Sequence, residues 1–146
     1  MDKIDREILE TMRKNSRISY TELGQKVFLS ANTVSERVRR MQESGIILAF
    51  ETRLDLRAMG LALIAIIDVK LSPGVAAVDF EAHIQDIPGI IEATLMTGSF
   101  DYMLRVACRD QDALVRLTEL LRARGGVLES YTRVLLRSAQ LRNRLA

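Results

Sequence analysis

Over residues 2–45 the apolar positions recur with helical spacing; beyond about residue 61, strand-like alternation and helical spacing take turns. Ile4, Ile8 and Met12 fall on one face of a first helix that starts near Asp2 and stops at Asn15-Ser16. Ser19-Tyr20-Thr21-Glu22 has the form of a capping box: Ser19 accepts from a backbone N–H three residues on and Glu22 reaches back. It opens a second helix whose buried face is Leu23 and Val27. A third helix begins after Leu29 with Ser30 as its N-cap. Val34, Val38 and Met41 form its apolar stripe, and Gly45 suits the left-handed position past its end. Only Phe28-Leu29-Ser30 joins the second and third helices, which is the spacing of a helix-turn-helix. Ile46–Phe50 and Thr52–Leu54 then read as a small hairpin or a single outgoing strand, in the place of a wing.

The second half reads strand (about 61–71), helix (75–86), strand (90–96), strand (102–109), helix (111–124) and strand (127–137). Ser72-Pro73-Gly74, Pro88-Gly89 and Gly125-Gly126 supply the breaks. This βαββαβ order predicts a ferredoxin-like sheet and an α+β chain: a winged helix-turn-helix over 1–52, a linker over 53–60 and the second domain over 61–146. The first strand is apolar on both faces, with Leu61, Leu63, Ala65, Ile67 and Val69 on one and Ala62, Ile64 and Ile66 on the other. Helices of a split βαβ unit cover one side only. The second face therefore needs another cover, either a second copy of the chain or the N-terminal domain, and burial of apolar area favours the copy.

Composition changes this picture little. With 146 residues, 48% hydrophobic and 27% charged, the chain is neither disordered nor a disulfide scaffold. Its single Cys108 allows no internal disulfide, which fits a reducing, cytoplasmic setting, and Cys108 reads as a small buried hydrophobe. His83 stands alone, so no metal and no cofactor are expected; no leader and no membrane span is evident. Net charge is only +2, and residues 1–52 hold nine Lys and Arg against eight Asp and Glu. Affinity for a polyanion must then come from local arrangement or from several copies.

With the apolar stripe of the third helix turned inward, its other face carries Asn32, Glu36, Arg39, Arg40 and Glu43, flanked by Thr33 and Ser35. The second helix of such a motif enters the major groove of double-stranded DNA with its N-terminal residues against base edges. Asn32, Thr33, Ser35 and Glu36 are placed for that: Asn can pair with adenine and Glu can accept from cytosine. Arg39 and Arg40 reach guanine or phosphate, and Ser30 with the free N–H groups at the helix start suits a phosphate. A solvated surface helix would carry the same charges. Arg37 lies beside the apolar stripe and is expected to form a salt bridge within the domain.

Ile4-Asp5-Arg6-Glu7-Ile8-Leu9, Asn15-Ser16-Arg17, Glu22-Leu23, Leu29-Ser30, Thr33-Val34, Arg37-Val38 and Glu43-Ser44-Gly45-Ile46-Ile47 resemble the leucine-responsive / asparagine-regulator (Lrp/AsnC) family of transcription factors. Thr97-Gly98-Ser99-Phe100-Asp101-Tyr102 resembles that family's Thr-Gly-x-x-Asp-Tyr turn. The resemblance implies a sequence-specific DNA-binding regulator with a RAM- or ACT-like second domain. It implies dimers through the sheets, often octamers, and a small effector, usually an amino acid, held between subunits near the Thr97–Tyr102 turn. Within that turn Asp101 could receive an ammonium and the N–H groups around Thr97, Gly98 and Ser99 a carboxylate, or Asp101 could cap its own backbone. Tyr102 completes the motif, and Thr132 with Ser130 on the last strand are further candidates.

Two positions depart from the family pattern. Gly24 stands where Ala is usual, at a cost of about 1 kcal/mol inside a helix. Phe28 stands where Gly is usual, which argues against a left-handed cap there and for packing of Phe28 against another helix. An effector-independent architectural DNA-binding protein is the alternative. A small enzyme is disfavoured, because no nucleophile–base pair, phosphate loop or metal-ligand cluster is present.

Overall fold

The structure, a computed structural model, describes residues 1–137. Among the described residues the chain divides into two compact units, residues 1–53 and 54–137. The expected second domain runs to residue 146, and its last nine positions lie outside the described residues.

The first unit is three helices: α1 (Lys3–Lys14), α2 (Tyr20–Val27) and α3 (Ala31–Glu43). Each starts on a side-chain cap. Asp2 and Asp5 form a reciprocal capping box on α1, Ser19 and Glu22 form one on α2, and Ser30 accepts from the Thr33 N–H on α3. Such caps contribute about 1 kcal/mol each. The α3 stop is a Schellman motif: Gly45 at φ +72° donates to the Gln42 carbonyl and Ile46 donates to that of Met41. The apolar faces meet in one core of Ile8, Met12, Leu23, Val27, Val34, Val38 and Met41, each at most 8% exposed.

The α2–α3 turn corrects one expectation. Phe28 does take the left-handed conformation (φ 57°, ψ 41°), its N–H donating to the Gly24 carbonyl. It is the single non-glycine with positive φ among the described residues. It does not pack on another helix; the residue is 93% exposed. A left-handed non-glycine costs about 1–2 kcal/mol. Gly24 has a physical reason of its own: a Cβ there would lie 2.4 Å from the Leu29 carbonyl oxygen.

The hairpin or outgoing strand expected after α3 does not form. No strand forms between residues 46 and 62. Leu48 is 90% exposed, and Ile46, Phe50 and Leu54 are exposed as well. A lone two-stranded ribbon with nothing to pack on is marginal, so extended chain results. It ends in a turn at residues 56–60, where the Asp55 carboxylate accepts from the N–H groups of Arg57 and Ala58.

The second unit has β1 (Leu63–Leu71), α4 (Ala77–Ile84), β2 (Ile90–Leu95), β3 (Tyr102–Cys108), α5 (Gln111–Arg124) and β4 (Val127–Val134). The sheet order is β2-β3-β1-β4, antiparallel throughout, which is the ferredoxin-like arrangement. One sheet face carries Ala65, Ile67 and Val69 of β1 and Tyr102, Leu104, Val106 and Cys108 of β3. It meets Phe80 and Ile84 of α4, Ile87, and Leu117 and Leu121 of α5. Tyr102 is fully buried, its ring 4.7 Å from that of Phe80, and its hydroxyl donates to Glu81 at 2.6 Å. Cys108 lies in the same core, and burial pushes its thiol pKa up.

The cross-strand register places Ile64, Ile66, Asp68, Met103, Arg105, Ala107, Tyr131 and Arg133 on the opposite face. Both core-forming helices lie on the other side, so among the described residues of this unit no helix covers it. Asp68, only 8% exposed, accepts from Arg133 at 2.6 Å in the middle of this face. That pair lies just past Ile64 and Ile66, which form the apolar part of β1 on this face.

Candidate nucleic-acid interface and effector turn

The polar side of α3 presents Asn32, Thr33, Glu36, Arg39 and Arg40, all exposed, with Ser35 half-buried at its flank. The helix is held from below by Val34, Val38 and Met41, so its outer side chains stand on a rigid base. At its start, the Ser30 hydroxyl accepts from the Thr33 N–H and lies 2.8 Å from the Thr33 hydroxyl. The two hydroxyls thus serve the cap. The backbone N–H groups ahead of Thr33 are those a helix start leaves without an intrahelical partner.

The basic residues of α3 divide into distinct roles. Arg37 is bound inside the unit, as expected: its Nη1 donates to Asp2 at 2.6 Å and to Asp5 at 2.7 Å. The two carboxyls sit below their ordinary range, first because each accepts the other's backbone N–H and then because of the guanidinium. Arg39 lies between Glu36 (2.6 Å) and Glu43 (3.2 Å), and its charge is screened within the helix. Arg40 is exposed, beside a shallow concavity of about 450 Å³ shared with Asp2, Asp5 and Arg37. The acidic partners of Arg37 were not singled out in the sequence; the Asp-x-x-Asp spacing at the start of α1 was the available signal.

In the second unit the Thr97–Tyr102 segment is the turn between β2 and β3. Thr97, Gly98 and Ser99 are exposed at its tip, and Gly98 takes φ +124°. Asp101 does not cap its own turn. Its Oδ2 accepts from the Leu71 N–H at 2.7 Å, and its own N–H donates to the Val69 carbonyl, so it ties the turn to the end of β1. Nothing in the local sequence signals that long-range bond. Tyr102 sends its ring into the core, away from solvent. Thr132 pairs with Ile67 and Ser130 with Val69, which places Thr132 on the far side of β1 from the turn. A concavity of about 340 Å³ lined by Arg57, Ile64, Arg105, Leu135, Leu136 and Arg137 shares no residue with the turn. His83 is exposed, and among the described residues no group of His, Cys, Asp and Glu is arranged to hold a metal. No helix among them is long and apolar enough to cross a membrane.

These features can be set beside known proteins. Residues 1–47 match the winged helix-turn-helix DNA-binding family and residues 64–145 the Lrp/AsnC ligand binding domain. The chain is 34% identical to the leucine-responsive regulatory protein of Salmonella typhimurium, over 99% of this chain and 90% of that one. It is 33% identical to that of Escherichia coli over the same shares. Among solved structures, LrpC of Bacillus subtilis superposes with a TM-score of 0.87 at 28% identity, covering 96% of this chain and 97% of that one. A transcriptional regulator of Neisseria meningitidis in complex with L-Met gives 0.89 at 26% identity, covering 97% and 93%. These relatives are regulators rather than enzymes. Two family models that together span nearly the whole chain, and full-length relatives above 30% identity, show that this chain belongs to the Lrp/AsnC family of DNA-binding transcriptional regulators.

Proposed function

We propose that the protein is a sequence-specific regulator that reads the major groove of double-stranded DNA with α3 and responds to an amino acid at the β2–β3 turn. The observation that carries the reading is the exposed row Asn32, Thr33, Glu36, Arg39 and Arg40 on a helix capped at Ser30 and based on a dry core. Asn32 and Glu36 supply base-edge chemistry, and Arg40 supplies phosphate or guanine contact. The screening of Arg39 by two glutamates and the low net charge weigh against architectural, sequence-blind binding, which depends on strong positive fields.

The turn has the groups a zwitterion requires. Backbone N–H groups about Thr97, Gly98 and Ser99 face solvent and suit a carboxylate; Asp101 has a second oxygen, Oδ1, for an ammonium. The Neisseria regulator's complex with L-Met supports an amino acid as the class of ligand. A second copy of the chain, packed on the uncovered sheet face, would wall the turn. Dimers formed this way, and further assembly up to an octamer, follow the family resemblance.

The test separates charge from scaffold. Asp101→Asn keeps an acceptor for the Leu71 N–H but removes the anion. Binding to a duplex enriched from a random pool should stay within about twofold of the parent in the absence of amino acids, and the response to the amino acid that shifts the parent should be lost. A variant that still responds fully would remove Asp101 from the effector site. Asn32→Ala should weaken the same duplex without changing assembly; intact binding there would move the reading face off α3.

A further inference from the structure

Phe28 is held in a conformation that disfavours every residue with a Cβ, yet its side chain touches almost nothing: φ is 57° and the residue is 93% exposed. Strain of this kind persists where a site uses the side chain or the turn geometry. The turn itself would form more readily with glycine, so the turn does not account for the ring. Nor is the ring loosely presented. The Phe28 N–H and the Leu29 N–H both donate to the Gly24 carbonyl, and Gly24 lies so close to the Leu29 carbonyl that a Cβ would meet it at 2.4 Å. This locks the backbone that carries Phe28.

The ring lies two residues before Ser30 and three before the first residue of α3, at the end of that helix where Asn32 and Thr33 are exposed. Lys26, exposed on the last turn of α2, is on its other side in the chain. We infer that Phe28 is an apolar DNA-contacting and specificity-determining residue, seated against a thymine methyl or a deoxyribose at the edge of the groove that α3 enters. This rests on the reading of α3 as the DNA-reading helix. An aromatic ring can pack on the thymine methyl, which no other base presents in the major groove, and on the apolar face of the sugar. Both surfaces are uncharged, so the contact releases no counterions, and its loss would leave the salt dependence unchanged.

The experiment compares the parent, Phe28→Gly and Phe28→Leu on a duplex enriched by the parent from a random pool. For Phe28→Gly the thermal midpoint should rise, because strain is relieved, while affinity falls about tenfold with the same slope of log affinity against log salt. Phe28→Leu should keep most of the affinity. Replacing thymines by deoxyuridine one at a time assigns the surface. Loss at one position in the parent, absent in Phe28→Gly, identifies the methyl group; no loss at any position identifies the sugar. Phe28→Gly binding as tightly as the parent would overturn the inference and leave the α3 reading in place. Weaker binding accompanied by a changed oligomeric state would also overturn it, since Phe28 would then join copies of the chain. If the parent enriches no duplex, the α3 reading itself fails.

Discussion

Arg37 shows how one residue can decide whether a basic helix is a field or a scaffold. It is the arginine of α3 that looks inward, and its two aspartates also cap α1, so one cluster ties the first helix to the third. Asp2 and Asp5 titrate below their ordinary range, and the sign of the consequence follows. A carboxyl with a depressed folded-state pKa adds stability that is complete above its unfolded value, near 3.8, and is lost as pH falls through the folded value. Amide-exchange protection of α1 and α3 should therefore be flat from neutral pH to about 5 and decline below about 4. Arg37→Met should lower protection at neutral pH and flatten part of that decline; an unchanged acid profile would show that the capping box alone sets it. Arg37 was legible in sequence because a guanidinium beside an apolar stripe needs a partner. The bond from Asp101 to Leu71 was not, because its partner is 30 positions away and is a backbone group that carries no sequence signature.

At the scale of elements, the helices were the most legible part of the chain. Ser19 with Glu22, Ser30 and Gly45 act within one turn of themselves, so their meaning survives without the rest of the fold. The wing was not legible in the same way. Ile46–Leu54 has the composition of a strand, but a strand needs a ladder partner, and composition does not supply one. Phe28 marks a third case: the left-handed cap survives the loss of glycine, because the hydrogen bonds to the Gly24 carbonyl outweigh about 1–2 kcal/mol of strain. Within α3 the charges divide into screened and free. Arg40→Ala should reduce the salt slope of DNA binding by about one unit, as loss of one phosphate contact does. An unchanged slope with lower affinity would place Arg40 on a base edge instead.

At the scale of the whole molecule, the sheet has one face covered by α4 and α5 and one that no helix among the described residues of its unit covers. The uncovered face is not a plain apolar surface, since the Asp68–Arg133 pair joins β1 to β4 on it. With Asp68 buried and Arg133 exposed, the pair restricts how a second copy can seat. Ile66→Lys should shift the protein toward monomer in sedimentation and abolish any effector response that needs two copies, while each unit stays folded. A variant that assembles normally would show that association uses another surface. The two-sided apolar pattern of β1 was readable from its alternation; the ion pair was not, because Asp68 and Arg133 are 65 residues apart.

The measurement that bears most directly on the account is equilibrium binding of the full chain to its enriched duplex and to a scrambled duplex, with and without each of the common amino acids. The account predicts a preference for the enriched duplex of at least about a thousandfold, moved by one or a few amino acids and by no others. Equal, strongly salt-dependent affinity for both duplexes, unmoved by any amino acid, would contradict it and mark the protein as an architectural DNA binder.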